Sequence, residues 1–125
     1  MKQRVLSGMR PTGPLHLGHL IGALENWKQL QREYDCFFMV ADYHALMSEY
    51  EHPEAVRGSI EDNVLDWLAC GIDPKRSVIF RQSDVPEHAE LYTVLSILTP
   101  LGWLERVPPD KEQLRELAGR ELATH

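Results

Sequence analysis

Two histidines three residues apart, His16 and His19, stand at the opening of an apolar-periodic run, inside the stretch "PTGPLHLGHL" at residues 11–20. A helix start needs one capping residue and often a proline. Two imidazoles and a glycine, Gly18, in the first turn go beyond that need and point to a ligand. The first amides of such a helix, near Leu17 and Gly18, lack intrahelical acceptors, and the helix dipole adds about half a positive charge, so phosphate is the natural guest. His16 and His19 would bracket it. Gly18 would let a flat ring or a sugar approach the backbone closely. Gly13 gives the preceding loop freedom, and Pro11 and Pro14 stiffen it.

The stretch is not one of the commoner nucleotide loops, because neither GxxxxGK[ST] nor GxGxxG occurs in the chain. A metal site is not expected either. Histidines three apart on a helix can chelate, but His44 and His88 lie in separate segments and no HExxH pattern is present. The plainer alternative, a capped helix whose histidines only decorate the surface, stays open at this point.

The elements that must position this corner are legible around it. "RVLSGM" (4–9) is a short apolar run ended by glycine and followed by proline and glycine, the pattern of a buried strand entering a loop. Leu17, Leu20, Ile21, Leu24, Trp27 and Leu30 then mark one helical face. "CFFMVA" (36–41) is a continuous apolar run that suits a strand of a parallel sheet. After a polar crossing, Pro53 opens a helix with Val56, Ile60, Val64, Trp67 and Leu68 inward, up to the stop "CGIDP". "SVIFRQ" (77–82) is a third strand. "SDVPEHAELYTVLSIL" continues into a helix with Leu91, Val94, Leu95 and Leu98 on one face, and Pro100, Gly102, Pro108 and Pro109 break the chain before a final charged helix, "DKEQLRELAGRELA". Trp27, Trp67 and Trp103 read as core, and Asp42 as the cap of the turn after its strand.

Strand, helix, strand, helix, strand implies right-handed crossovers and an α/β fold: a parallel sheet with helices on both faces. Ligands in such sheets sit beyond the carboxyl ends of the strands. Those ends carry "SGMRPTG", "ADYHA" and "RQSD".

Composition bounds the rest. At 125 residues with 43% apolar content the chain suffices for one domain or a piece of one. No apolar run approaches the roughly 20 residues that cross a bilayer. Nineteen acidic against 13 basic residues, net −6, work against broad electrostatic attraction to nucleic acid, which would have to be met locally or elsewhere. Cys36 and Cys70 have no CxxC spacing and follow no secretory signal, so they read as buried free thiols of a cytoplasmic protein.

With these residues in place, the chain resembles the class I aminoacyl-tRNA synthetases, whose first signature is HIGH, here "HLGH" at His16–His19. "LSGMRPTGPLHLGHLIGALENW", "FMVADYHAL", "CGIDP", "FRQSDVPEHAEL" and "LERVPPDKEQ" come in the order found in the bacterial-type tryptophanyl branch, across nearly the whole chain. The resemblance implies a Rossmann-like parallel sheet with flanking helices, residues 1–125 being the first half of the catalytic domain. It also implies ATP-dependent activation of L-tryptophan with Mg2+ and transfer to tRNA(Trp) by a homodimer.

By the same resemblance, Arg10, Pro11, Thr12, Gly18 and His19 would hold ATP. His16 and His19 would act as catalytic donors to phosphate oxygens, and Leu6, Gly8 and His44 would border the tryptophan pocket. The KMSKS loop, the indole-reading aspartate and the anticodon-binding domain of the family have no counterpart in this sequence. Pro109 and Asp110 also depart from the family's usual threonine and aromatic. An incomplete chain is therefore expected, inactive or very weak alone, with an apolar sheet edge that favours pairing with another chain. A tyrosyl-type synthetase and a noncatalytic nucleotide-binding paralogue are the rival readings.

Overall fold

A computed structural model describes residues 2–104 and 106. Its backbone forms two units that divide between Pro86 and Glu87. The first holds a parallel sheet of β1 (Arg4–Met9), β2 (Asp35–Val40) and β3 (Ser77–Arg81) in the order β1-β2-β3. Leu6 pairs with Phe37 and Phe37 with Val78 in one row, and Gly8, Met39 and Phe80 form the next row on the same face. All three strands fall on the apolar runs that predicted them.

From the first strand the chain passes through a loop into α1 (Leu17–His19), a π-helical turn (Leu20–Leu24) and α2 (Glu25–Glu33). The helix expected from Leu17 is thus interrupted by a widened turn, a feature often met at functional sites. Leu24 and Trp27 are buried as expected and Gln31 joins them, with Leu20 and Leu30 packed against the core, whereas Leu17 and Ile21, expected inside, are each 67% exposed. Between β2 and β3 lie α3 (Asp42–Glu49) and α4 (Pro53–Ala69), the latter with Pro53 at its first turn. "DYHA", expected at the end of the second strand, is the start of α3.

The core sits on one face of the sheet. Trp27 of α2 stacks on Phe38 of β2 at 4.4 Å and meets Trp67 of α4 edge-on at 5.0 Å, with Leu24, Cys36, Val40 and Ile72 filling in around them. Such offset and edge-on pairs add about 0.5–1.5 kcal/mol each beyond burial. The Trp27 indole N–H also donates to Ser7 Oγ at 3.0 Å, tying α2 to β1.

Crossovers of one hand between strands in consecutive order carry α2 and α4 to the same side of the sheet, where Trp27 and Trp67 meet. The other face keeps Leu6 59% and Val78 50% exposed.

The turn "CGIDP" is built by Gln31. Its Nε2 donates to the Gly71 carbonyl at 2.8 Å, and its Oε1 accepts from the Asp73 N–H at 2.9 Å. Gly71 takes φ +102, a left-handed value that suits glycine. Cys36 is buried and Cys70 only half-buried, both free.

In the second unit, α5 (Glu87–Leu98) and α6 (Leu101–Leu104) contain no buried residue. Trp103, expected in a core, is 65% exposed. The final charged helix, "DKEQLRELAGRELA", lies outside the described residues. No described helix is long and apolar enough to cross a membrane.

Candidate functional site

The loop after β1 is held from behind. The Ala41 N–H donates to the Met9 carbonyl at 2.9 Å, pairing the carboxyl ends of β1 and β2. The chain then turns at Arg10, whose carbonyl accepts from the Thr12 N–H at 3.0 Å, while Pro11 is buried and Thr12 exposed. Gly13 takes φ +123, and its carbonyl accepts from Asn63 Nδ2 of α4 at 2.9 Å. The loop thus delivers His16 in extended geometry to the mouth of α1.

There the two histidines form a reciprocal capping box. His16 Nδ1 accepts from the Gly18 N–H at 3.1 Å, and His19 Nδ1 accepts from the His16 N–H at 3.2 Å. The ring centroids are 4.0 Å apart and the planes tilted by 43°. A ring nitrogen that accepts carries no proton, so each neutral imidazole carries its proton on Nε2. Partial burial, and then the neighbouring His16, hold the His19 pKa below the usual imidazole value. The corner therefore presents two Nε2–H donors on neutral rings, suited to phosphate oxygens.

Two expectations are corrected at this point. The Gly18 amide is not open to a guest, because the His16 ring already takes it. The space beside Gly18 serves that ring as well: a Cβ there would lie 2.8 Å from His16 Cε1. Glycine is needed for the cap itself, before any sugar or base approaches.

A second corner joins the carboxyl ends of β2 and β3. Asp42, at the start of α3 and nearly buried, accepts through Oδ1 from the N–H groups of Tyr43 and Ser83, both at 3.0 Å, and through Oδ2 from Ser83 Oγ. The expected local cap is present and extends across to the turn after β3. Gln82 in that turn (Gln82–Asp84) accepts the His44 N–H at 3.2 Å through Oε1, and its Nε2 lies 3.1 Å from His44 Nδ1. His44 itself is exposed.

The predicted residues therefore fall into three sets. His16 and His19 are in contact, with Arg10, Pro11 and Thr12 in the loop that leads to them. Leu6 and Gly8 share the sheet face that carries no core, and His44 is clasped by Gln82. Gly8 is fixed by the sheet, since a Cβ on it would stand 2.9 Å from the Met39 carbonyl oxygen.

Two grooves, of about 770 and 540 Å³, run instead along α4, the larger against β3 and the smaller against α3, and both are lined by Arg57, Ile60 and Arg81. None of the predicted site residues lines either one. Among the described residues no three histidine, cysteine, aspartate or glutamate side chains group as metal ligands.

Sequence reasoning missed the amides that hold these corners: Gln31, Asn63 and Gln82. A signal existed for two of them. Asn63 continues the inward series Val56, Ile60 and Trp67 of α4, and Gln31 the series Leu24 and Trp27, so each is a polar group at a core position that needs a partner.

The model of the family described as tRNA synthetases class I (W and Y) matches residues 1–123. The chain is 58% identical over 123 residues to the tryptophan--tRNA ligase of Ralstonia nicotianae, covering 98% of this chain and 31% of that protein. To the tryptophan--tRNA ligase of Thermotoga maritima it is 53% identical over 122 residues, 97% of this chain and 37% of that protein. The crystal structure of tryptophanyl-tRNA synthetase from Campylobacter jejuni complexed with ADP and tryptophan superposes with a TM-score of 0.81 at 35% identity, covering 98% of this chain and 37% of that one. The chain thus spans about a third of the length of the relatives it matches.

Proposed function

The chain belongs to the class I tRNA synthetases of the tryptophan and tyrosine type, and from that membership we propose that it carries the amino-terminal part of the nucleotide-binding catalytic domain of a cytoplasmic tryptophan--tRNA ligase. The observation that carries this reading is the reciprocal histidine box at the mouth of α1, which commits Nδ1 of both rings as acceptors and so puts the proton of each neutral ring on Nε2. The reaction is displacement at phosphorus: the carboxylate of tryptophan attacks the α-phosphate of ATP, pyrophosphate leaves, and the tryptophanyl group then passes to the terminal ribose of tRNA(Trp).

No covalent step on the protein is needed, so its work is alignment and charge stabilisation. His16 and His19 donate to phosphate oxygens whose negative charge builds as the pentacoordinate state forms. One such preorganised donor is worth about 10²–10³ in rate. Arg10 and Thr12 approach the same phosphates from the loop, with Pro11 and Gly18 shaping the backbone. Mg2+ enters as the counter-ion of ATP. Leu6 and Gly8 offer an apolar floor for the indole, His44 stands at its border, and a homodimer is the expected assembly.

Exchange of labelled pyrophosphate into ATP tests the reaction. Dependence on tryptophan supports this reading, dependence on tyrosine overturns the choice of amino acid, and ATP binding without exchange favours a noncatalytic nucleotide-binding module. The site is tested by titrating ATP into the chain and following its amide and imidazole NMR signals. Residues 10–19 should move first, and a response confined to another region would remove the proposed cradle.

A further inference from the structure

We propose that Gln82 is a positioning residue that fixes the His44 ring as an Nε2–H donor to the carboxylate of the amino-acid substrate. This rests on the assignment of His44 to the border of the amino-acid pocket. Gln82 is only 7% exposed and sits in the turn after β3, while His44 opens α3 after β2, so the contact bridges two strand ends.

The orientation of the Gln82 amide is decided by the backbone. Its Oε1 accepts the His44 N–H at 3.2 Å, and the reversed amide would set an NH2 group against that N–H. With Oε1 pinned, Nε2 lies 3.1 Å from His44 Nδ1, and an amide nitrogen can only donate. His44 Nδ1 is therefore the acceptor, and the neutral ring carries its proton on Nε2. The competing contact, Nδ1 to Oε1 at 3.3 Å, would ask one oxygen to serve both ring and backbone while the ring N–H faced the amide NH2.

The clasp is itself braced. Asp42 binds the N–H groups of Tyr43 and Ser83 and the Ser83 hydroxyl, so the residues beside His44 and Gln82 are locked to each other. This brace keeps the Gln82 amide within reach of the exposed His44 ring, whose own tie is the 3.1 Å contact at Nδ1. A free imidazole presents either tautomer, whereas this one presents a donor at its outer nitrogen. A donor at that place attracts a carboxylate and repels an ammonium group, which orients the bound amino acid. Gln82 acts through His44 and touches no substrate, the arrangement by which partners behind a histidine set its tautomer at metal and catalytic sites.

Long-range 1H–15N correlation spectra of the 125-residue chain, recorded where the imidazoles are neutral, test this directly. In the wild type, His44 should show an unprotonated Nδ1 and a protonated Nε2. Gln82→Glu keeps an acceptor for the His44 N–H but can only accept at the ring, so the proton should move to Nδ1. Gln82→Leu should give averaged tautomers. A wild-type ring that averages, or that carries its proton on Nδ1, overturns the proposal without any variant having to fold.

Millimolar L-tryptophan should then shift the His44 Nε2–H signal, and tryptamine, which lacks the carboxylate, should not. A fixed Nε2–H ring that ignores tryptophan overturns the substrate half of the proposal and the pocket reading beneath it. A mobile ring overturns the role of Gln82 alone.

Discussion

The backbone N–H of His16 donates to Nδ1 of His19 at 3.2 Å, so the second histidine of the motif caps the residue that carries the first. In return the His16 ring caps Gly18, and helix opening and candidate phosphate site are built from the same atoms. Whatever alters the rings alters both, which gives the site a pH signature.

Protonation of Nδ1 would turn each cap acceptor into a donor facing an N–H. The His19 pKa is held below the usual value by partial burial and by His16, so the folded chain binds that proton less readily than the unfolded chain. Its contribution to stability is then complete above about pH 6.5, the unfolded value, and is lost as the pH falls from there through the lower folded value. In urea titrations the gap in midpoint between wild type and His19→Ala should be widest above about pH 7 and should close on acidification. A gap that does not change with pH would show that His19 is not acting through an unprotonated Nδ1.

Gly18 and His16 should be energetically coupled. Alanine is ordinarily the better helix residue, by about 1 kcal/mol, and the added Cβ has only the His16 ring to meet, at 2.8 Å from Cε1 and 2.9 Å from Nδ1. Gly18→Ala should therefore cost about 1 kcal/mol in the wild type, the worth of a cap. It should become neutral or stabilising in a His16→Ala background. A double-mutant cycle by urea denaturation checks this, and strict additivity would mean that the ring is not seated beside Gly18.

Gly8→Ala should destabilise the sheet by about 1–3 kcal/mol, because the new Cβ meets a backbone oxygen, Met39 O at 2.9 Å, that cannot swing aside. Gly22→Ala is the control, since nothing lies within 4 Å of its Cβ position. Thermal unfolding of the two variants should separate them by several degrees, in line with roughly 4–8 °C per kcal/mol for a domain of this class.

The strands were legible because each is a short apolar run ended by glycine or a polar residue, as in "RVLSGM" and "SVIFR". The side that the helices take was not, because it depends on strand order, and order is a long-range property that periodicity does not carry. The HLGH corner was legible from residue type alone. The mutual capping was missed because serine, threonine, asparagine and aspartate, not imidazoles, are the residues expected at a cap. Leu17 and Ile21 misled because periodicity places a residue on a helical face but does not say how far along the helix that face is covered: Leu24, Trp27 and Leu30 meet the core, and the mouth of the helix does not. Asn63 announced itself only as a polar residue at a core position; its partner Gly13, and Gln82's partner His44, come from 50 and 38 residues away and are not readable from local pattern.

Asn63 should matter to the loop more than to the core. Its Nδ2 holds the Gly13 carbonyl at 2.9 Å, at the point where the loop takes its left-handed turn toward His16. Asn63→Ala should cost about 1–3 kcal/mol, the worth of a buried polar partner lost. It should also raise amide hydrogen exchange over residues 10–16 while leaving β2 protected. Exchange that rises uniformly across the sheet would assign Asn63 to global stability instead.

The apolar surface of α5 makes self-association the expected state of the chain. Leu91, Tyr92, Val94, Leu95, Ile97 and Leu98 lie within one helix and are all exposed, Ile97 at 78%. The apolar residues of α5, Leu91, Val94, Leu95 and Leu98 among them, form one broad exposed face, and such a face ordinarily requires a covering surface. A second copy supplies one of matching chemistry, since a two-fold interface sets the same patch against itself. Sedimentation should therefore show a concentration-dependent dimer or larger species. Ile97→Glu should shift it toward monomer. Wild-type chain that stays monomeric at high concentration would show that α5 tolerates water as it stands, and would remove the ground for a homodimer built on this helix.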